Sequence, residues 1–308
     1  MWMQHVDNFV QKEWWTMKAK IIQIQADLFK VKFNDSIQNA KASKLLKLKN
    51  IDLKVGDEVE INQYNDGFCY IEKRYPRKND LVRPVVANID KAIVCVSVKE
   101  PEFNQNLLDR FLSILFFNNI DCVIVFTKMD LLKTQNEIEY INNIYEYYQS
   151  IGYECYQTTN TNKSIKEVFV KIVDNKICVI TGQSGVGKST IINLIDESLK
   201  LETGEISLKL NRGKHTTRYT TLYPIFNGYI VDTPGFGNLD FIGMNELDLS
   251  HSFVEIFKAS ADCKYKGCLH ENEPHCHVKE LVDKGLINKE RYNNYLSFLK
   301  IVKQNRKY

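Results

Sequence analysis

The residues best suited to chemistry lie in one stretch, 177–190, which reads ICVITGQSGVGKST. Gly182, Gly187, Lys188 and Ser189 stand at the P-loop spacing G-x-x-x-x-G-K-S. Glycines at these places let the backbone curl so that consecutive N–H groups point at phosphate oxygens, where a side chain would obstruct them. The cradle is made of Gly182, Gln183, Ser184, Gly185, Val186, Gly187, Lys188, Ser189 and Thr190. Lys188 would reach the β and γ phosphates, and the Ser189 hydroxyl would bind Mg²⁺. Residues 190–199 continue with helical spacing, so the phosphates would also meet a helix N-terminus. The motif implies a bound nucleoside triphosphate and leaves open which one.

Three other groups bear on that question. Thr127-Lys128-Met129-Asp130 follows the apolar run DCVIVF. A carboxylate at Asp130 would accept from both N1–H and N2–H₂ of guanine, a pattern adenine lacks, with the Lys128 stem against the base. Thr127 stands where such motifs usually carry Asn, whose amide braces the phosphate loop; a hydroxyl can do part of that. Asp232-Thr233-Pro234-Gly235 follows another apolar run, at 228–231. Asp232 would hold Mg²⁺ through water, and the Gly235 N–H would meet the γ-phosphate. Thr216 or Thr217, with Thr217 preferred, would close over Mg²⁺. Phe236 occupies the place where Ras-like proteins carry the glutamine that orients the attacking water. A phenyl ring cannot do this, so unaided hydrolysis is expected to be slow. His215 is the internal candidate for the missing group, against the plainer reading of a solvent-exposed histidine. The expected catalytic residues are thus His215, Lys188 and Thr217. Lastly, Cys263, Cys268, His270 and Cys276 form a Cys₃His set suited to one tetrahedral, structural Zn²⁺, with His275 and His277 as rival ligands.

The surrounding pattern says what must position these groups. Residues 21–75 hold short alternating runs (IIQIQ, LFKVKF, VEINQ, FCYIEKRY) separated by Asn-Asp, Gly-Asp and Asn-Asp-Gly turns. A five-stranded β-barrel of the OB type is expected. Lys30, Lys32, Lys73, Arg74 and Arg77 interleave there with Phe29, Phe33, Phe68, Tyr70 and Tyr75. On one face these would bind RNA by stacking and phosphate contact; otherwise the aromatics are core and the lysines solvated. Residues 77–84 read as a basic linker. Next come a strand at 85–98, a helix at 106–117, a strand at 121–126, a helix at 136–148, a strand at 153–156 and a helix at 164–173. This alternation predicts a parallel sheet covered on both faces, with ligands at the carboxyl ends of the strands. The polar stretch 208–223 reads as a loop, and the chain from residue 246 onward reads as helical except at the Cys/His cluster. Residues 1–16 show no clear period and read as a dispensable extension or an upstream start.

Composition narrows the class. The 308 residues are 44% hydrophobic and 26% charged, ordinary for a globular chain of about two domains. No apolar run approaches a membrane span, and the N-terminus lacks the pattern of a secretory signal. A cytoplasmic, monomeric protein with no membrane partner is expected. A formal net charge of +3 identifies no polyanionic partner. Of eight cysteines, Cys95, Cys122 and Cys178 lie in apolar runs and three more join His270, so metal binding fits better than disulfides.

Motif order is the informative point. Thr127-Lys128-Met129-Asp130 precedes the P-loop, whereas guanine motifs usually follow it. A parallel sheet tolerates such circular permutation because chain termini usually lie close together. The phosphate-sensing end of the nucleotide domain then needs a further domain to tie it down. With the barrel, LVRPVVANID, EFNQNLLDRFL, TKMD, GQSGVGKST, RGKHTT, DTPGF and C-x4-C-x-H-x5-C in this order, the chain from about Met17 resembles the RsgA (YjeQ) family of circularly permuted GTPases. It departs at Thr127 and at TTNTN, residues 158–162, where the family has a Ser-Ala-type base-contact loop and this chain offers Thr158 and Thr159. The resemblance implies a multidomain protein: extension 1–16, OB-type barrel 17–76, circularly permuted α/β P-loop GTPase domain 77–243, and helical zinc-binding domain 244–308. It implies GTP and GDP as ligands, the small (30S) ribosomal subunit and its 16S ribosomal RNA as partners, and subunit-stimulated hydrolysis that drives release late in assembly. It also supports His215 as the catalytic group. A non-enzymatic RNA-binding scaffold with a structural nucleotide site is the other class considered; Lys188, Ser189 and Asp232 favour the enzyme.

Overall fold

The computed structural model describes residues 16–63, 68–81, 85–159, 165–195, 221–231 and 240–305. The extension up to residue 15, the Asn65-Asp66-Gly67 turn, His215, Thr216, Thr217, Asp232, Gly235 and Phe236 lie outside them. The chain divides into two compact units, Met1–Arg77 and Lys78–Tyr308.

In the first unit, β1 (Met17–Gln25), β2 (Leu28–Phe33), β3 (Ser36–Ala42), β4 (Glu58–Gln63) and β5 (Cys69–Arg74) close into a barrel in the order β1-β2-β3-β5-β4. Only the β3–β5 pair is parallel. Ile21, Val31, Ala40, Val59, Ile61 and Ile71 fill the interior. A short helix, α1 (Lys44–Leu48), leads away from β3, with the Ser43 hydroxyl accepting from the Leu46 N–H. Strand β3 had no clear sequence signal, because SIQNAKA buries only Ala40 fully.

The expected cationic-aromatic face divides. Phe29 points inward as core, and Phe33 packs against that core. Arg77 is held by structure: its guanidinium grips the fully buried Asp57 through Nε at 2.6 Å and Nη2 at 2.8 Å, and donates to the Asp52 carbonyl at 2.8 Å. A buried carboxylate needs such a partner. Cations do meet rings elsewhere on the barrel. Lys41 lies 3.8 Å from the Phe68 ring centre, and Lys73 and Lys18 lie 5.3 and 5.5 Å from that of Tyr75.

The second unit opens with a two-residue pair, β6 (Asp80–Leu81) and β7 (Val86–Ala87), before β8 (Lys91–Ser97). The single strand expected at 85–98 is therefore broken. Asn88 takes a left-handed φ of 57°, and the Asn79 side chain claims the Ile89 N–H at 2.8 Å. Asp90 accepts from the Ile177 N–H at 2.7 Å and pairs with Lys78. Then follow α2 (Gln105–Phe117), β9 (Asp121–Thr127), α3 (Gln135–Ser150), β10 (Glu154–Gln157), α4 (Ile165–Val173), β11 (Ile177–Thr181), α5 (Lys188–Ile195), β12 (Leu222–Ile225) and β13 (Gly228–Val231). The sheet order is β10-β9-β8-β11-β13-β12, parallel except for the β12–β13 hairpin at one edge. Leu222 and Tyr223, read as loop, belong to β12. Strands β8, β9 and β11 are nearly continuous buried apolar runs, as a sheet covered on both faces requires.

The C-terminal helices are α6 (Glu246–Ser252), α7 (Val254–Ser260), α8 (His277–Asp283) and α9 (Lys289–Asn305). They share a core with α2 built on Phe241, Phe253, Tyr295 and Phe298. At its centre Arg291, 1% exposed, pairs with Asp109 of α2 and Glu255 of α7. Tyr148 and Asn294 donate to the two Asp109 oxygens at 2.6 and 2.8 Å. The Phe253 ring centre is 4.7 Å from the guanidinium. Three charges leave water here, and this completeness of pairing is what makes their burial tolerable.

Candidate nucleotide site and metal centre

Parallel strands bring Ser97, Thr127, Gln157 and Thr181 to the same edge of the sheet, so the P-loop and the Thr127–Asp130 motif become neighbours despite their order in the chain. Gly182 has φ 141°, and a Cβ there would stand 2.2 Å from the Cys95 carbonyl oxygen on β8. Only glycine fits so close to a neighbouring strand. Gly187, at φ 97°, needs glycine for its backbone shape, since nothing crowds it. Val186 is buried and plugs the loop into the core beside Ile93, Cys95 and Val125. Burial pushes the Cys95 thiol up to about 12, so it serves as packing and not as a nucleophile.

Gln183, Ser184 and Gly185 form the exposed rim of the loop, and Thr190 is half-buried one turn behind it. Lys188 opens α5, and its Nζ donates to the Gly182 and Gln183 carbonyls at 2.8 Å each, which folds the ammonium back across the loop. Ser189 is buried in the first turn of the same helix.

The Thr127–Asp130 motif is attached to this loop directly. The buried Thr127 hydroxyl donates to the Val186 carbonyl at 2.6 Å, with the Val96 carbonyl at 3.2 Å. Lys128 takes a left-handed φ of 59°, which turns the chain so that Asp130 is exposed on a short helical turn, Met129–Leu131. The Lys128 ammonium donates to the Glu100 carbonyl. Thr158 continues the ladder from β10: its N–H donates to the Phe126 carbonyl at 2.8 Å, and its carbonyl accepts from the Met129 N–H at 3.2 Å. The Thr158–Thr159 segment therefore lies against the Thr127–Asp130 turn. The Thr158 side chain itself is buried and donates to the Thr159 carbonyl at 3.2 Å.

The ligand atoms of Cys263, Cys268, His270 and Cys276 all lie within 4.8 Å of one another. Cys276 Sγ is 3.9 Å from Cys263 Sγ and 3.8 Å from Cys268 Sγ. A tetrahedron with the usual Zn–S length of about 2.3 Å has edges of about 3.8 Å. His270 Nδ1 lies 3.3 Å from Cys276 Sγ and 3.7 Å from Cys263 Sγ, so the imidazole completes the figure. The donor set and its size fit zinc. Burial holds the His270 pKa down to about 4, which keeps the ring neutral as a ligand must be. Burial pushes the Cys268 thiol up to about 12, a proton that metal binding would displace.

Neither His275 nor His277 belongs to this group among the described residues; the His277 ring lies 3.7 Å from Glu280 and 3.9 Å from Asp262. Glu273 shapes the loop by accepting from the N–H groups of Leu269, Glu271 and Asn272 at 2.7, 2.9 and 3.1 Å. Tyr292 and Tyr295 of α9 donate to the carbonyls of His270 and Leu269 at 2.5 and 2.6 Å. Sequence reasoning missed this anchoring to α9, as it missed Arg291. Neither has a motif, since each joins residues far apart in the chain.

Comparison with known proteins agrees with this geometry. The profile of the RsgA GTPase family matches residues 74–242. The chain is 42% identical to a small ribosomal subunit biogenesis GTPase RsgA of Streptococcus agalactiae, over 94% of this chain and 97% of that protein. It is 40% identical to the protein of that name from Halalkalibacterium halodurans, over 94% and 98%. Among solved structures it resembles YloQ, described as a circularly permuted GTPase, with TM-score 0.81 and 30% identity over 98% of this chain and 99% of that one. It also resembles YjeQ from Thermotoga maritima, with TM-score 0.82 and 31% identity over 93% and 98%. The matched stretch holds both the phosphate loop and Thr127–Asp130, and the relatives cover nearly the whole chain: the chain belongs to the RsgA GTPase family.

Proposed function

We propose that this GTPase binds the small ribosomal subunit, contacts its 16S ribosomal RNA and acts in the late maturation of that subunit, as a cytoplasmic monomer. The observation that carries the reading is the 42% identity, over nearly the full length of both chains, to a protein named for small ribosomal subunit biogenesis. No helix among the described residues is long and apolar enough to cross a membrane.

In this reading the division of labour is as follows. The barrel 17–76 meets RNA through paired cations and rings such as Lys41 with Phe68 and Lys73 with Tyr75. Domain 77–243 binds the nucleotide, and 244–308 is held by one structural Zn²⁺ on Cys263, Cys268, His270 and Cys276. Asp130 accepts from guanine, with Thr127, Lys128 and the Thr158–Thr159 segment around it. The P-loop N–H groups hold the β-phosphate, and Lys188 leaves its loop carbonyls to meet the β and γ phosphates. Ser189, Thr217 and Asp232 would hold Mg²⁺, which when bound with nucleotide neutralises charge developing on the transferred group. The Gly235 N–H contacts the γ-phosphate, and His215 supplies the catalytic group that Phe236 cannot. GTP raises affinity for the subunit by ordering the switch residues, and hydrolysis releases the protein.

GTP turnover measured with and without purified small subunits, with ATP as the control, tests this. Stimulation specific to GTP is expected, and His215→Ala should remove the stimulated rate while leaving nucleotide affinity unchanged. Equal turnover with and without subunits would sink the proposal.

A further inference from the structure

The turn that presents Asp130 is held from outside itself. Glu137, in the first turn of α3, forms a capping box with Thr134. One of its carboxylate oxygens accepts from the Lys133 and Thr134 N–H groups at 2.9 and 3.0 Å, and its own N–H donates to Thr134 Oγ1 at 3.3 Å. The other oxygen accepts from Lys99 Nζ at 2.6 Å. Lys99 lies just past β8, where its carbonyl accepts from the Ser97 hydroxyl at 2.6 Å. Its neighbour Glu100 offers the carbonyl that receives the Lys128 ammonium. Two cross-links thus join the same pair of loops, one before Asp130 and one after it. Phe103, farther along the same loop, stacks on Phe126 of β9, with ring centres 6.0 Å apart.

We infer that Lys99 and Glu137 are positioning residues for guanine selection, their ion pair fixing where Asp130 stands without touching the base. The capping box shapes the turn locally, but it cannot fix that turn relative to β8. The Lys99 link does so on the side that follows Asp130, as the Lys128 link does on the side before it. A carboxylate reading guanine must meet N1–H and N2–H₂ together, and hydrogen bonds weaken steeply once distance and angle drift. A turn free to rock would keep one bond and lose the other. The inference rests on the reading of Asp130 as the guanine acceptor.

The test compares GDP with inosine diphosphate, which lacks the N2 amine, on the full-length protein. In Lys99→Met and in Glu137→Gln, GDP affinity should fall about three- to fivefold, the size of a partly exposed ion pair. Affinity for inosine diphosphate should hardly change, so the preference for GDP narrows. The double variant should be no worse than either single one, and Lys99→Arg should restore the preference. Melting temperatures identify any variant that is merely unfolded, and Glu137→Gln keeps a capping acceptor as the milder case. An equal loss for both nucleotides, or an unchanged preference, overturns the inference. Asp130→Asn assayed with xanthosine diphosphate tests the underlying reading separately. If that variant gains no xanthosine affinity, the guanine reading itself fails; if it does gain it while Lys99→Met keeps its preference, only the positioning role falls.

Discussion

The Thr127 hydroxyl donates to the Val186 carbonyl across 2.6 Å, joining the residue that opens the TKMD motif to the buried residue of the phosphate loop. They stand 59 positions apart in the chain and meet because β9, β8 and β11 are successive neighbours in the sheet. The bond ties the motif to the phosphate loop at the place where an asparagine amide is the usual brace. It uses the hydroxyl proton, while Asp130 stands exposed on the turn that follows.

Replacing Thr127 by Val keeps the volume and leaves the Val186 carbonyl without this buried donor. Losing such a bond costs about 1–3 kcal/mol, so nucleotide affinity should fall by at least about fivefold. Thr127→Ser should keep most of it. Titration with a fluorescent guanine nucleotide checks both, and equal affinity in Thr127→Val and wild type would show that the brace is idle.

The buried Arg291 network makes a larger claim on stability. Arg291→Met would strand Asp109 and Glu255 inside the core, and removing one partner of a buried pair costs about 3–5 kcal/mol. Asp109→Asn, which keeps the bulk of the side chain, should cost less. Denaturant titration of the two variants gives the order directly. A near-native midpoint for Arg291→Met would mean the site hydrates or repacks.

Metal content separates a zinc centre from a coincidental cluster. The purified protein should hold one zinc per chain, and Cys268→Ser should lose it together with several degrees of melting temperature. Chelator should destabilise the wild type toward that variant and leave the variant itself unaffected. Native protein with no stoichiometric zinc would refute the assignment.

The capping box carries a pH signature. The Lys99 ammonium, then the Lys133 and Thr134 N–H groups, hold the Glu137 carboxyl down at about 2, below its ordinary 4.5. A carboxylate whose pKa is depressed on folding adds stability above its unfolded pKa and loses it as pH falls through the folded value. The gap in melting temperature between wild type and Glu137→Gln should therefore be full at pH 7. It should shrink as pH drops from about 4.5 toward 2. A gap that stays constant over that range would mean Glu137 is not stabilising as an anion.

Much of this protein is written in local patterns that depend on few neighbours. The P-loop, TKMD and the Cys₃His spacing are legible because the chemistry demands particular residue types at short intervals. The parallel sheet is legible because fully buried strands must be apolar throughout. Strand β3 was not, since its pairing with β2 and β5 does not require alternation when one residue supplies the core contact. The break at Asn88 was hidden for a related reason, because Asp90 answers to the Ile177 N–H, which the sequence does not place beside it. Tertiary structure alone took Arg77 out of the set expected to face RNA, by giving it a buried carboxylate to neutralise. It chose His270 over His275 and His277, because ligand geometry is a matter of tenths of an ångström and three nearby histidines look alike as letters. It also assigned Thr127 its bond and Lys99 its partner, interactions between residues that only the sheet order brings together. Sequence thus determined which chemistry the chain is equipped for. The fold decided which of the equipped residues are free to perform it, because a side chain's role depends on what else competes for its charge and its protons.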